Sequence, residues 1–210
     1  MLKRISDSTI ERLAKYYRTL ENFIKHGTTS VSSDDLADQD IITSAQVRKD
    51  LSSFGTFGKR GIGYDTSDLF QQIQQIMGLD KKWNIAIVGA GNIGRALINF
   101  KEFKQRGFNI RGIFDSDPSI IGWDMNGLTV HNMDSFPQRT KHLNIHIGII
   151  AVPSESAQSV ADLMVAAGLK AILNFAPKNL RVPEDVLVRN ANISINLEMI
   201  SYHLTNYKKS

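Results

Sequence analysis

Lys82-Trp83-Asn84-Ile85-Ala86-Ile87-Val88-Gly89-Ala90-Gly91-Asn92-Ile93-Gly94-Arg95-Ala96-Leu97-Ile98-Asn99-Phe100 decides the fold of the second half of this 210-residue chain. Lys82 to Val88 reads as a buried strand, and Arg95 to Phe100 begins a helix. Between them stands G-x-G-x-x-G in the context that gives the pattern meaning. Gly89 makes the tight turn, Gly91 lets backbone approach a pyrophosphate, and Gly94 lets helix and strand pack closely. With Ala90, Asn92 and Ile93 these residues cradle the phosphates at a helix N-terminus, where free N–H groups favour an anion. A second strand, Asn109 to Phe114, ends in Asp115, 21 residues after Gly94. An acid there accepts the ribose 2′-hydroxyl and repels a 2′-phosphate, which favours NAD(H) over NADP(H).

Outward from this motif, β-branched runs alternate with helical runs, so residues 81–196 are expected to form a doubly wound parallel sheet. Further strands are expected at Ile145–Ala151, Ala171–Asn174 and Ile193–Ile195. Val152-Pro153-Ser154 and Phe175-Ala176-Pro177 follow two of them, at the edge where ligands bind. Val152, Pro153 and Asn174 therefore join the candidate cofactor residues. Ser154 is explained as the cap of the next helix.

Residues 1–80 read differently. Ile10, Leu13, Tyr17, Leu20 and Ile24 form one stripe of a helix that Gly27 ends. Ser32 and Ser33 open a short helix, and Thr43 with Gln46 forms a capping-box pattern opening a third. Val47, Leu51 and Phe54 share the third helix's inward face. Ala45, Lys49 and Ser52 lie opposite, with Gln46 and Arg48 on the flanks. A helix presenting small residues, hydroxyls (Ser44, Ser52), an amide and two cations suits the major groove; a solvated helix face is the alternative. Phe54 to Tyr64 has glycines at 55, 58, 61 and 63, which suit a tight hairpin. Phe57, Ile62 and Tyr64 would anchor it, with Lys59 and Arg60 at its tip near the minor groove. A nucleotide-phosphate loop is the rival, but no strand precedes it. Three helices and a wing make a winged helix-turn-helix.

Composition sets the bounds. Apolar residues make up 42% and charged residues 22%, and the net charge is +4. Residues 1–80 carry ten lysines and arginines against eleven acids, and residues 81–210 carry fifteen against ten. DNA binding must therefore rest on where the few N-terminal cations sit. There is no cysteine, which excludes disulfides, thiolate metal sites and thiol redox sensing. No membrane span or signal peptide is read, so a cytoplasmic protein without a metal is expected.

The motifs Gln46-Val47-Arg48-Lys49-Asp50-Leu51, Gly58-Lys59-Arg60-Gly61-Ile62-Gly63-Tyr64, Val88 to Gly94, Ala157-Gln158 and Ile172 to Pro177 resemble those of the Rex family of redox-sensing transcriptional repressors, over essentially the whole chain. The resemblance implies a homodimer on palindromic operator DNA, released by NADH with NAD+ competing. It also implies that the last helix, about residues 197–210, exchanges between subunits. Ile200, Leu204 and Tyr207 make an apolar stripe there that needs a surface to cover. Many members carry a tyrosine near the nicotinamide where this chain has Phe100. They carry an aspartate opening the last helix where it has Asn196. In them that aspartate pairs with an arginine matched here by Arg18, so Arg18 and Asn196 can form a hydrogen bond without opposite charge. NADH, bound between the domains, would favour a dimer whose recognition helices no longer fit their half-sites.

Two other readings compete. A NAD-dependent dehydrogenase needs a substrate domain and a positioned acid or base, but only about 20 residues follow the Rossmann core. His131, His142, His146 and His203 are scattered, as structural residues are. A CoA- or nucleotide-binding protein of similar fold that never touches DNA is the third.

Overall fold

A computed structural model describes residues 5–38, 42–58 and 63–206. The chain divides into two units, 1–81 and 82–210.

In the first unit, α1 (Asp7–Lys25) starts at Ser6, whose hydroxyl accepts the Thr9 N–H, and closes at Gly27 in the left-handed region. It buries Leu13, Tyr16, Tyr17 and Leu20, whereas Ile10 and Ile24 at the ends of the expected stripe are exposed. Strand β1 (Ser30–Val31) leads to α2 (Ser33–Asp38). Ser32 accepts the Asp35 N–H and Asp35 accepts the Ser32 N–H, a reciprocal cap. In α3 (Ser44–Ser52), Thr43 caps the Gln46 N–H. Gln46 does not return the bond; its side chain goes to Asp50 instead. After β2 (Tyr64–Asp65), Asp65 caps α4 (Thr66–Ile76). The four helices close around Leu13, Tyr16, Leu20, Leu36, Val47, Leu51, Leu69 and Ile73.

Strand β2 lies antiparallel to β1, with Val31 opposite Tyr64. The loop before β2 is tight at its base. A Cβ on Gly58 would stand 2.5 Å from the Gly63 carbonyl, and both glycines have positive φ. Phe57 and Tyr64 pack on the core. Lys59, Arg60 and Ile62 lie outside the described residues.

The second unit runs β3 (Trp83–Val88), α5 (Asn92–Ile98), α6 (Lys101–Gln105), β4 (Phe108–Asp115), β5 (Asp124–Met125), β6 (Leu128–Asn132), α7 (Phe136–His142), β7 (Ile147–Ile150), α8 (Ser154–Ala166), β8 (Ala171–Asn174), β9 (Leu187–Asn190) and α9 (Ile193–Asn206). The sheet order is β5-β6-β4-β3-β7-β8-β9, parallel throughout except for the β5–β6 hairpin. Winding proceeds outward from β3 through β4 to β6, then from β7 through β8 to β9. The reversal between β3 and β7 is the switch point of a doubly wound sheet. Alternate residues of β3 serve both faces. Ala86 and Val88 join Phe114, Phe136, Ala161 and Met164 on one side, while Ile85 and Ile87 join Ile98, Ile113 and Ile149 on the other. Burial on both faces explains why this strand is apolar without alternation. Phe114 and Phe136, ring centroids 4.8 Å apart and both fully buried, each contribute about 2–3 kcal/mol by leaving water.

One expected strand is not one. Ile193–Ile195 begins α9, because the Asn192 side chain accepts the N–H groups of Ser194 and Ile195. The last strand is Leu187–Asn190, an edge strand with little burial. Asn196 accordingly stands within α9 rather than opening it.

Candidate functional site

The glycine loop is shaped by contacts that admit no side chain. Gly89 has φ of +102°, and a Cβ there would strike the Ala151 carbonyl at the end of β7. A Cβ on Gly94 would collide with the Gly89 carbonyl, so α5 reaches the strand only because both are glycines. Gly91 differs. Among the described residues, no atom beyond its own chain neighbours lies within 4 Å of where its Cβ would stand, and at the α5 N-cap it offers no side-chain oxygen to the first-turn N–H groups. Those donors are left for an anion.

The buried Ala90 peptide is held at both ends. Its N–H donates to Asp115 Oδ2 at 2.7 Å, and its carbonyl accepts from Arg95 Nε at 3.0 Å. The other Asp115 oxygen accepts the Asp117 N–H at 2.9 Å. Each oxygen keeps a further acceptor site. The Arg95 guanidinium also lies 5.7 Å from the centre of the Trp123 ring. Arg95 lies outside the glycine pattern, and its place one residue after Gly94 is its only signal in the sequence. A cleft of ≈ 540 Å³ opens here, lined by Gly89, Gly91, Asp115, Val152, Pro153 and Leu163 among others. Asn92 and Ile93 are exposed on the first turn of α5. An open glycine, uncapped N–H groups and an acid at the end of the next strand fit a dinucleotide.

Asn174 is fully buried at the end of β8 and turned into the protein. Its amide nitrogen donates to the carbonyls of Ala176 and Lys178 and to Asn190 Oδ1, and its oxygen accepts the Ala176 N–H. It shapes the loop 175–178. Gln158 acts likewise, exchanging two bonds of 2.9 Å with the Arg181 backbone. Ser154 corrects an expectation: it is the first helical residue, Pro153 holds the cap position, and the hydroxyl donates to Glu155. His146 Nδ1 accepts the Asn84 N–H at 3.0 Å, a bond between neighbouring chain segments.

On α3 the expected inward face is buried at Val47 and Leu51, with Phe54 partly so. Lys49 and Ser52 are exposed and Ser44 is half-buried. The flanking residues are engaged within the protein. Gln46 Nε2 donates to Asp50 at 2.7 Å, and Arg48 donates to Ser33 on α2 at 2.8 Å. Asp50, only 2% exposed, also accepts from Arg12 and Tyr16. Burial opposes its charge, but bonds from Arg12, Gln46 and Tyr16 and the Arg12 charge outweigh that and hold its carboxyl below the ordinary range. Burial, with Asp50 alongside, pushes the Tyr16 hydroxyl up. The signal missed in the sequence is a carboxylate set in the stripe Val47, Asp50, Leu51, Phe54.

Family models match both units: one described as a CoA binding domain over residues 80–178, the other as a putative DNA-binding protein N-terminus over residues 4–52. The redox-sensing transcriptional repressor Rex of Desulforamulus reducens is 48% identical over 201 residues, 96% of each chain. That of Syntrophomonas wolfei is 46% identical over the same share. The chain belongs to the Rex family of redox-sensing transcriptional repressors.

Its likeness to solved Rex-family structures is equally broad. The repressor RSP in complex with β-NAD+ and operator DNA is 38% identical, with a TM-score of 0.93 over 98% of this chain and 94% of that one. RSP in complex with β-NADH gives 37% identity and a TM-score of 0.88 over 98% and 96%. Among the Rex-related expectations, Phe100 is exposed and lies edge-on to Phe103 at 5.1 Å. It lines a second cleft, of ≈ 690 Å³, with Lys101, Lys104 and Arg111, and not the one beside Gly89. Arg18 and Asn196 are exposed on α1 and α9, in different units. All of α9 is exposed, including Ile193, Leu197, Ile200 and Leu204. Tyr207 lies outside the described residues. No described helix is long and apolar enough to cross a membrane.

Proposed function

We propose that this chain is a cytoplasmic, homodimeric repressor that binds palindromic operator DNA and is released by NADH, without catalysing a reaction. The observation that carries the reading is one polypeptide joining two sites: an exposed Lys49 and Ser52 on α3, and a glycine loop whose Ala90 N–H is held by Asp115. RSP, similar over 98% of the chain, has been crystallised with operator DNA and with each form of the dinucleotide. Gly89 to Gly94 hold the pyrophosphate, Asp115 the ribose, and Val152 and Pro153 the cleft wall. Asn174 shapes the neighbouring loop, and Phe100, which lines the other cleft in this structure, would have to turn to meet the nicotinamide. Ser44, Lys49 and Ser52 meet the major groove, with Gln46 and Arg48 beside them and Lys59 and Arg60 in the wing. The apolar face of α9 packs on the partner subunit, where Arg18 and Asn196 meet in a hydrogen bond without opposite charge. Residues 1–80, 81–196 and 197–210 act as DNA-binding, NAD(H)-binding and exchanged segments.

Release requires NADH to bind the free dimer more tightly than the operator-bound one. A hundredfold loss of operator affinity corresponds to about 3 kcal/mol of coupling. Isothermal titration with NADH, with and without operator, measures it. Equal affinity in the two titrations would remove the sensor function, and turnover of NADH with alcohols or hydroxy acids would revive the dehydrogenase reading.

A further inference from the structure

Four hydrogen bonds converge on one buried carboxylate beneath the recognition helix. Asp50 Oδ2 accepts from Arg12 Nε at 2.5 Å and from the Tyr16 hydroxyl at 2.9 Å. Asp50 Oδ1 accepts from Arg12 Nη2 at 2.8 Å and from Gln46 Nε2 at 2.7 Å. A carboxylate offers about four acceptor sites, so this one is saturated. Two of its partners stand on α1 and one on α3, which joins the two helices through charge-assisted bonds as well as apolar packing. Arg12 is itself steadied by Thr9, whose hydroxyl accepts from Nη2 at 3.3 Å.

We propose that Asp50 is the positioning residue of the recognition helix, and that Gln46 serves it by bracing α3 from within and does not read a base. The inference rests on the operator-binding function proposed above. A glutamine reads adenine by extending outward so that its amide nitrogen donates to N7 while its oxygen accepts from the N6 amino group. Here the side chain is bent along the helix to the residue four positions on, a pairing that also supports the helix. Turning Gln46 outward would leave an acceptor of a 2%-exposed carboxylate without its partner, and an unmade bond at a buried charge is costly. Major-groove readout then falls to other exposed side chains of the same helix, Lys49 and Ser52 among them.

The test uses the full-length dimer and an operator selected by the wild-type chain from a randomised duplex pool. Binding of Gln46→Ala and Asp50→Asn is measured on duplexes altered one base pair at a time, on a non-specific duplex, and with NADH, at fixed salt. Both variants are expected to bind the operator about tenfold more weakly, the scale of one lost specific contact. The order of base preference at every position, the affinity for non-specific duplex and that for NADH should all stay as in wild type. The double variant should be no weaker than Asp50→Asn alone, since both changes act through one carboxylate. A preference that relaxes at a single base pair in Gln46→Ala would overturn the proposal by making Gln46 a reader, as would wild-type operator affinity in Asp50→Asn. If Asp50→Asn does not fold, the base-preference profile of Gln46→Ala decides alone. A wild-type chain that selects no operator would instead refute the function on which the inference stands.

Discussion

Asp50 in the first unit and Asp115 in the second are both carboxylates that accept hydrogen bonds, and they do opposite work. Asp50 is closed in by Arg12, Tyr16 and Gln46, with every acceptor site used inside the protein. Asp115 takes one backbone N–H on each oxygen and lines an open cleft. A saturated interior carboxylate builds the surface around it, whereas one with sites left over can meet a ligand. The same contrast holds for the glycines: Gly94 is required by the Gly89 carbonyl, while a Cβ on Gly91 would meet none of the described residues beyond its chain neighbours.

The strongest way to break this comparison is Gly94→Ala. The added methyl meets backbone that cannot swing aside, so α5 must move and the cradle with it. NADH affinity should fall by about 100-fold or more, with a stability loss of about 1–3 kcal/mol. Titration calorimetry and thermal unfolding measure the two, and unchanged NADH binding would show that the loop tolerates the shift.

Next comes Asp50→Ala, expected to destabilise the chain by about 2–3 kcal/mol. This lies below the value for a fully buried pair because Arg12 remains 22% exposed. The penalty should depend on pH. The Asp50 carboxyl titrates below its ordinary 3.8 in the folded protein, so its contribution is complete above that value and fades as pH falls through the lowered one. The gap in melting temperature between wild type and Asp50→Ala should therefore be constant near neutrality and close toward acid. A gap independent of pH would assign the loss to packing.

The smallest effects separate the units. Asp115→Ala should weaken NADH binding about tenfold, by removing a charged acceptor, and leave a repressor that NADH releases poorly. Lys49→Ala should cost about 1–2 kcal/mol of operator binding and leave NADH binding untouched. Exchanged phenotypes would show the roles of the units reversed.

Much of this was legible in the residues. Strand, glycines, helix, second strand and acid stand within one short stretch, and local chemistry dictates each. The caps Ser32 and Thr43 were readable for the same reason, whereas at Ser154 the cap position fell one residue earlier, on Pro153. The hairpin β5–β6 and the edge strand β9 were not: they are short, largely exposed, and lack the apolar run that marks a buried strand. Ile193-Ser194-Ile195 misled because alternation over three residues fits a strand as well as a helix, and only the Asn192 cap distinguishes them.

By itself, the order of residues determined the doubly wound class, the place of the glycine loop between β3 and α5 and the exposed face of α3, since periodicity, glycine and caps act over a few neighbours. Tertiary structure alone decided which polar groups remain available. Arg12 and Asp50 are 38 positions apart, and Ala90 and Asp115 are 25. Whether a carboxylate is saturated or open depends on partners that only the folded chain brings within hydrogen-bond reach.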